Sequence, residues 1–88
     1  MPEQLKQQEL GMLREEMEML MRERGSLLKV AGAAAALVAN TDARKLPAQA
    51  AEAADLLSTL VNDLSEETLQ EALESVSAMT DAGDPGRP

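Results

Sequence analysis

Residues 10–38, which read LGMLREEMEMLMRERGSLLKVAGAAAALV, carry a repeat that is typical of a helix lying along other helices. Apolar residues return at alternating intervals of three and four, as at the a and d positions of a coiled coil. The successive a and d positions are Leu10, Leu13, Met17, Leu20, Arg24, Leu27, Ala31, Ala34 and Val38. Arg24 is the one charged residue among them. The repeat predicts a long helix that presents a Leu/Met face, with a break in that face at Arg24.

The amino-acid composition limits both the core and the chemistry. The chain has 88 residues and contains no Phe, Trp, Tyr, His or Cys. Aromatic side chains normally supply much of the buried area of a small domain, so their absence predicts that copies of the chain associate. The absence of His and Cys excludes the commonest general acid/base, thiol nucleophiles, disulfides and nearly all zinc or haem sites. We expect no catalytic residue, no cofactor and no metal.

Short motifs give no support for an enzyme. Ser26 and Lys29 have the Ser-x-x-Lys spacing of penicillin-binding enzymes, but the other motifs of that class are missing. Glu15, Glu16 and Glu18 form an acidic cluster without the Glu-x-x-His pattern of carboxylate-bridged metal sites. The sequence therefore predicts a protein that is not an enzyme.

Hydropathy gives no sign of a membrane segment. The longest apolar run, residues 30–39, is shorter than the roughly 20 residues that span a bilayer, and residues 1–8 are polar. We expect a soluble, cytoplasmic protein.

Local signals predict an all-α chain of three helices. Pro2 and Pro47 suit helix starts, Ser65 suits an N-cap, and Asn40 suits a left-handed helix end. Gly25-Ser26 is a plausible interruption, although a continuous or slightly kinked helix is favoured. A single helical domain over residues 1–79 is predicted, followed by a disordered tail. The predicted bounds are about 3–39, 47–64 and 66–79 for the helices, and 80–88 for the tail.

The short link between the first two helices predicts an antiparallel hairpin. Counting outward from the link places Ala36 opposite Ala50 and Ala33 opposite Ala53, so small residues face small residues. The Ala-rich run would then be a zone of close backbone approach. Residues before Arg24 have no partner in this hairpin. Either the third helix continues along them, with Leu69 and Leu73 near Met17 and Leu13, or they pair with another chain.

The apolar surface of the first helix is too broad for one two-stranded seam. Met21 and Leu28 lie at e positions, while Leu5, Met12 and Met19 mark a further stripe, which predicts that more than two helices meet. The charges mildly favour a parallel pairing, in which Glu23 of one chain lies beside Arg24 of the other. The predicted association face consists of Leu10, Leu13, Met17, Leu20, Met21, Arg24 and Leu27.

The charge is divided unevenly along the chain. Residues 1–45 hold seven basic and seven acidic residues, so the rest of the chain carries the whole net charge of −8. An acidic surface disfavours direct binding to nucleic acid, because such binding normally requires a basic surface. Maintaining solubility is the simplest role for this charge. The sequence predicts that this negative charge is concentrated in an acidic face on the third helix, which consists of Glu66, Glu67, Glu71 and Glu74.

Two functional hypotheses follow. The first is a self-associating adaptor, or an assembly or secretion-type chaperone, whose Leu/Met face on the first helix, with or without the third helix, binds an amphipathic helix of another protein. The second is an acidic inhibitor or nucleic-acid mimic, whose acidic face occupies a basic groove on a target protein. The general build resembles that of small helical-hairpin secretion chaperones and phage-encoded proteins, as an analogy of architecture alone.

Overall fold

The computed structural model describes residues 2–83, and their side-chain surroundings through residue 80. The described part is all-helical, which confirms the predicted fold class, and it contains no strand. Helix α1 spans Pro2–Ala39, α2 spans Ala48–Asn62 and α3 spans Glu66–Gly83. A short 3-10 turn, Ala43–Lys45, lies between α1 and α2.

Helix α1 runs through Gly25 and Ser26 without a break, as was favoured from the sequence. Its end differs from the prediction, since no residue among 2–83 has a positive φ and Asn40 is therefore not left-handed. The Asn40 backbone N–H instead donates to the carbonyl oxygens of Ala36 and Leu37, both at 3.2 Å. Its side-chain Nδ2 donates to Ala36 O at 2.8 Å, so the side chain satisfies a terminal carbonyl without a left-handed turn.

Helix α3 begins with the predicted cap. The Oγ of Ser65 accepts a hydrogen bond from the Thr68 backbone N–H at 3.1 Å and donates to Thr68 Oγ1 at 2.9 Å. Glu66 and Glu67 occupy the first turn, where negative charge interacts favourably with the helix dipole. The helix extends to Gly83, so residues 80–83 are not the start of a disordered tail. The rest of the predicted tail lies outside the described residues.

The main packing partner of α1 is α3, and α2 contacts α1 less. Gly32 and Ala35 of α1 are buried, as is Ala72 of α3. A Cβ built on Gly32 would overlap the Ala72 carbonyl oxygen and lie 2.6 Å from Val76 Cγ2. The Ala-rich run is therefore a zone of close approach, as predicted, but the approaching helix is α3.

The predicted register between α1 and α2 is not confirmed. Ala50 and Ala53 are exposed, and so is Ala33, which was expected to face Ala53. The physical reason lies in Ala72, whose small side chain lets the α3 backbone reach Gly32. Residue size alone matched the Ala-rich run to α2 equally well, so it did not distinguish the two possible partners.

The molecule is elongated. Its radius of gyration is 19.1 Å, against about 12 Å for a compact domain of this length, and its extents are 66 × 36 × 21 Å. Helix α1 accounts for this shape, because 38 helical residues span about 57 Å. Among residues 2–83, no helix has both the length and the apolar character needed to cross a membrane.

Candidate functional site

Residues 2–24 of α1, here called the arm, are exposed at every position. Leu13 and Met17 are 56% and 61% exposed, so α3 does not cover them with Leu69 and Leu73, one of the two arrangements considered from the sequence. The other apolar members of the predicted face are similarly exposed, and together with Arg24 they form the Leu/Met face. The exposed apolar members are Leu10, Leu13, Met17, Leu20, Met21 and Leu27.

The burial inside the chain is small compared with the apolar surface left exposed. Among the described residues, only Gly32, Ala35 and Ala72 are buried. An isolated helix is marginal in water, and most helical stability in proteins comes from packing an apolar face. The arm consequently lacks the packing that would stabilise it within one chain.

The two predicted functional surfaces meet in one ion pair. Arg24 Nη1 donates to Glu71 Oε2 at 2.9 Å, which links the Leu/Met face of α1 with the acidic face of α3. The side chains are 55% and 50% exposed, so water screens the pair and its contribution to stability is at most about 1 kcal/mol. It joins α1 to α3 at the residue next to Ala72, whose carbonyl oxygen lies against Gly32. Sequence reasoning missed this contact, and opposite charge was the only signal for it.

The acidic face lies on the exposed side of α3. Glu67, Glu71 and Glu74 line one shallow depression together with Gln70, while Glu66 lies in the first turn of the helix. Gln70 Nε2 donates to Glu74 Oε1 at 3.3 Å. The four carboxylates therefore share one helix, although Glu71 is also held by Arg24.

An apolar groove that the sequence did not indicate lies where the end of α1 meets α2. It encloses about 310 Å³ and is lined almost entirely by carbon atoms. Small residues of α2 leave it unfilled, because Ala50, Ala53 and Ala54 are too short to cover Leu37 of α1. The lining residues are Leu37, Val38, Thr41, Leu46, Ala50, Ala53, Ala54 and Leu57.

The Asp42 carboxylate lies in the turn between α1 and α2 and is hydrogen-bonded to Arg44. Its Oδ1 accepts from Arg44 Nε at 3.1 Å and from the Arg44 backbone N–H at 3.0 Å, while Oδ2 accepts from Arg44 Nη2 at 3.2 Å. The side-chain hydrogen bonds, followed by the backbone one, lower the Asp42 pKa below its ordinary value. The effect stabilises the turn between α1 and α2.

Within residues 2–83, no three acidic side chains come together in a way that would hold a metal ion. Comparison of the chain with family models, curated proteins and solved structures finds no match.

Proposed function

We propose that this protein is a non-enzymatic helical interaction module that self-associates through the Leu/Met face. The observation that carries the proposal is that every residue of the arm is exposed, with Leu20 and Met21 63% and 67% exposed. A contiguous exposed apolar surface of this kind marks an interaction site in a soluble protein. As an adaptor or chaperone, the self-associated protein would bind another protein through its paired arms.

A second copy of the chain is the occupant that the charges favour. In a parallel pair, Glu9 at a g position lies beside Arg14 at the following e position of the other chain. A symmetric antiparallel pair centred near Glu16 would instead oppose Glu9 and Glu23, which repel each other. Arg24 is compatible with the parallel pair because Glu71 of its own chain already offsets its charge.

The alternative function, an acidic inhibitor or nucleic-acid mimic, uses a surface that is partly engaged within the chain. Glu71 lies near the middle of the acidic face and is paired with Arg24. A basic target would have to compete with that guanidinium. In the Leu/Met face only Arg24 takes part in that pair, while the leucines and methionines remain exposed among the described residues, which is why we place the function there.

The test is the mass in solution of two double variants, measured by light scattering. Leu13→Gln/Leu20→Gln removes two apolar side chains from the Leu/Met face while keeping good helix formers. It should weaken association at least about 100-fold, because each buried Leu contributes roughly 1.5–3 kcal/mol. Salt should change the wild-type association little, since apolar burial drives it.

The matched control is Leu56→Gln/Leu60→Gln on α2, where both leucines are also more than half exposed. This variant should associate as the wild type does. Equal weakening by both variants, or wild-type association that disappears at high salt, would contradict the assignment of the Leu/Met face.

A further inference from the structure

A second apolar stripe on the arm is left uncovered by the proposed pairing. Leu5, Met12 and Met19 lie seven residues apart at c positions and are 60%, 62% and 50% exposed. Positions c point away from an a/d seam, so pairing through the Leu/Met face does not bury them. These three residues are here called the Met stripe.

Carboxylates border the Met stripe closely. Two shallow depressions meet at Met12, and one of them also reaches Met19. The charged residues that line them comprise four carboxylates and one guanidinium, a local net charge of −3. These residues are Glu9, Glu15, Glu16, Glu18 and Arg22.

We propose that the Met stripe docks a basic amphipathic helix of another protein, with Met12 and Met19 contacting its apolar side and the bordering glutamates meeting its lysines or arginines. Methionine is flexible and polarizable, so it fits apolar side chains of varied shape. Complementary charge supplies orientation and selects against acidic partners.

A second copy of the chain fits this stripe poorly. Two Met stripes laid together would bring two sets of bordering glutamates into contact, and like charges across an interface are unfavourable. The Met stripe and the Leu/Met face are therefore distinct surfaces of one helix. The docking proposal concerns the Met stripe alone.

The experiment titrates the full chain, labelled with ¹³C at the methionine methyl groups, with a synthetic amphipathic helical peptide of leucine and lysine. One control peptide has glutamate in place of each lysine, and a second has the same residues in a scrambled order. The lysine peptide should bind and shift the Met12 and Met19 methyl signals, leaving those of Met17 and Met21 nearly unchanged. The control peptides should bind much more weakly.

Two pairs of matched variants locate the binding. Met12→Gln/Met19→Gln should weaken peptide binding at least about tenfold, because two apolar contacts are lost, whereas Leu56→Gln/Leu60→Gln should not. Glu15→Gln/Glu18→Gln, which removes two bordering carboxylates that lie outside the a/d seam, should weaken binding and reduce its salt dependence. Glu67→Gln/Glu74→Gln removes the same charge on α3 and should have little effect.

Several results would overturn the proposal: no binding, equal binding of the glutamate or scrambled peptide, or equal weakening by the α2 or α3 control variants.

Dilution of the free chain provides a separate measurement. Self-association through the Leu/Met face should shift the Met17 and Met21 methyl signals on dilution. If Met12 and Met19 shift instead, a second copy covers the Met stripe and the basic-helix proposal is wrong.

Discussion

At the level of single residues, Gly32 controls how closely α1 and α3 approach. Its missing side chain makes room for the Ala72 carbonyl group and for Val76. We predict that Gly32→Ala lowers the free energy of unfolding by about 1–3 kcal/mol, because the added methyl group forces the helices apart. Thermal unfolding followed by circular dichroism measures this change.

The control is Gly25→Ala, also within α1. A Cβ built on Gly25 meets no atom within 4 Å among the described residues, so this substitution should stabilise the helix by up to about 1 kcal/mol. A similar gain for Gly32→Ala would show that α3 does not pack where the structure places it.

Asp42 gives a prediction about pH. Because its pKa is lowered in the folded state, its stabilising effect is present above the unfolded-state pKa and is lost as the pH falls through the lower folded-state value. Arg44→Ala should raise the Asp42 pKa toward its ordinary value while leaving the backbone hydrogen bond. An NMR titration of the Asp42 carboxyl carbon measures this pKa. The control is Lys45→Ala, which removes the same charge from the neighbouring residue. An unchanged Asp42 pKa in Arg44→Ala would contradict the assigned cause.

Residue-level signals predicted local contacts better than distant ones. Ser65 was identifiable as a cap because the hydrogen bond it forms spans only three residues. The pair of Arg24 and Glu71 joins positions 47 residues apart. This pairing depends on the angle at which α3 leaves the turn after α2, and no residue pattern in the sequence determines that angle.

At the level of elements, α3 contributes most to holding α1, so its N-cap should affect the whole fold. We predict that Ser65→Ala lowers the free energy of unfolding by about 1 kcal/mol, since a cap hydrogen bond to Thr68 is lost. Chemical denaturation measures this loss. Ser77→Ala, within exposed α3 sequence, should cause no comparable loss. Equal effects of the two substitutions would show that the Ser65 cap contributes no more to the free energy of unfolding than an exposed serine within the helix.

The existence of the three helices could be predicted from the sequence, but their arrangement could not. Apolar periodicity and the Pro and Ser signals locate each helix, because these effects act within a few residues. The choice of α3 over α2 as the partner of α1 depends on how Gly32 and Ala72 fit together in space. The same small-residue run also suited Ala50 and Ala53 of α2, and the sequence contained no further signal to separate them.

At the level of the whole molecule, the described residues form an elongated unit in which only two alanine side chains are buried and many large apolar side chains are exposed. The hairpin count left residues before Arg24 without a partner in the hairpin, but the sequence left open whether α3 or another chain covers them. We propose that a second chain covers the arm. We therefore expect the elongated monomer to be one part of a larger assembly.

Sedimentation equilibrium of the 88-residue chain, from micromolar to millimolar concentration, measures this association. We expect a mass that rises with concentration to at least twice the 9.4 kDa of one chain. A mass that stays at 9.4 kDa over the whole range, with the helical content retained, would contradict it.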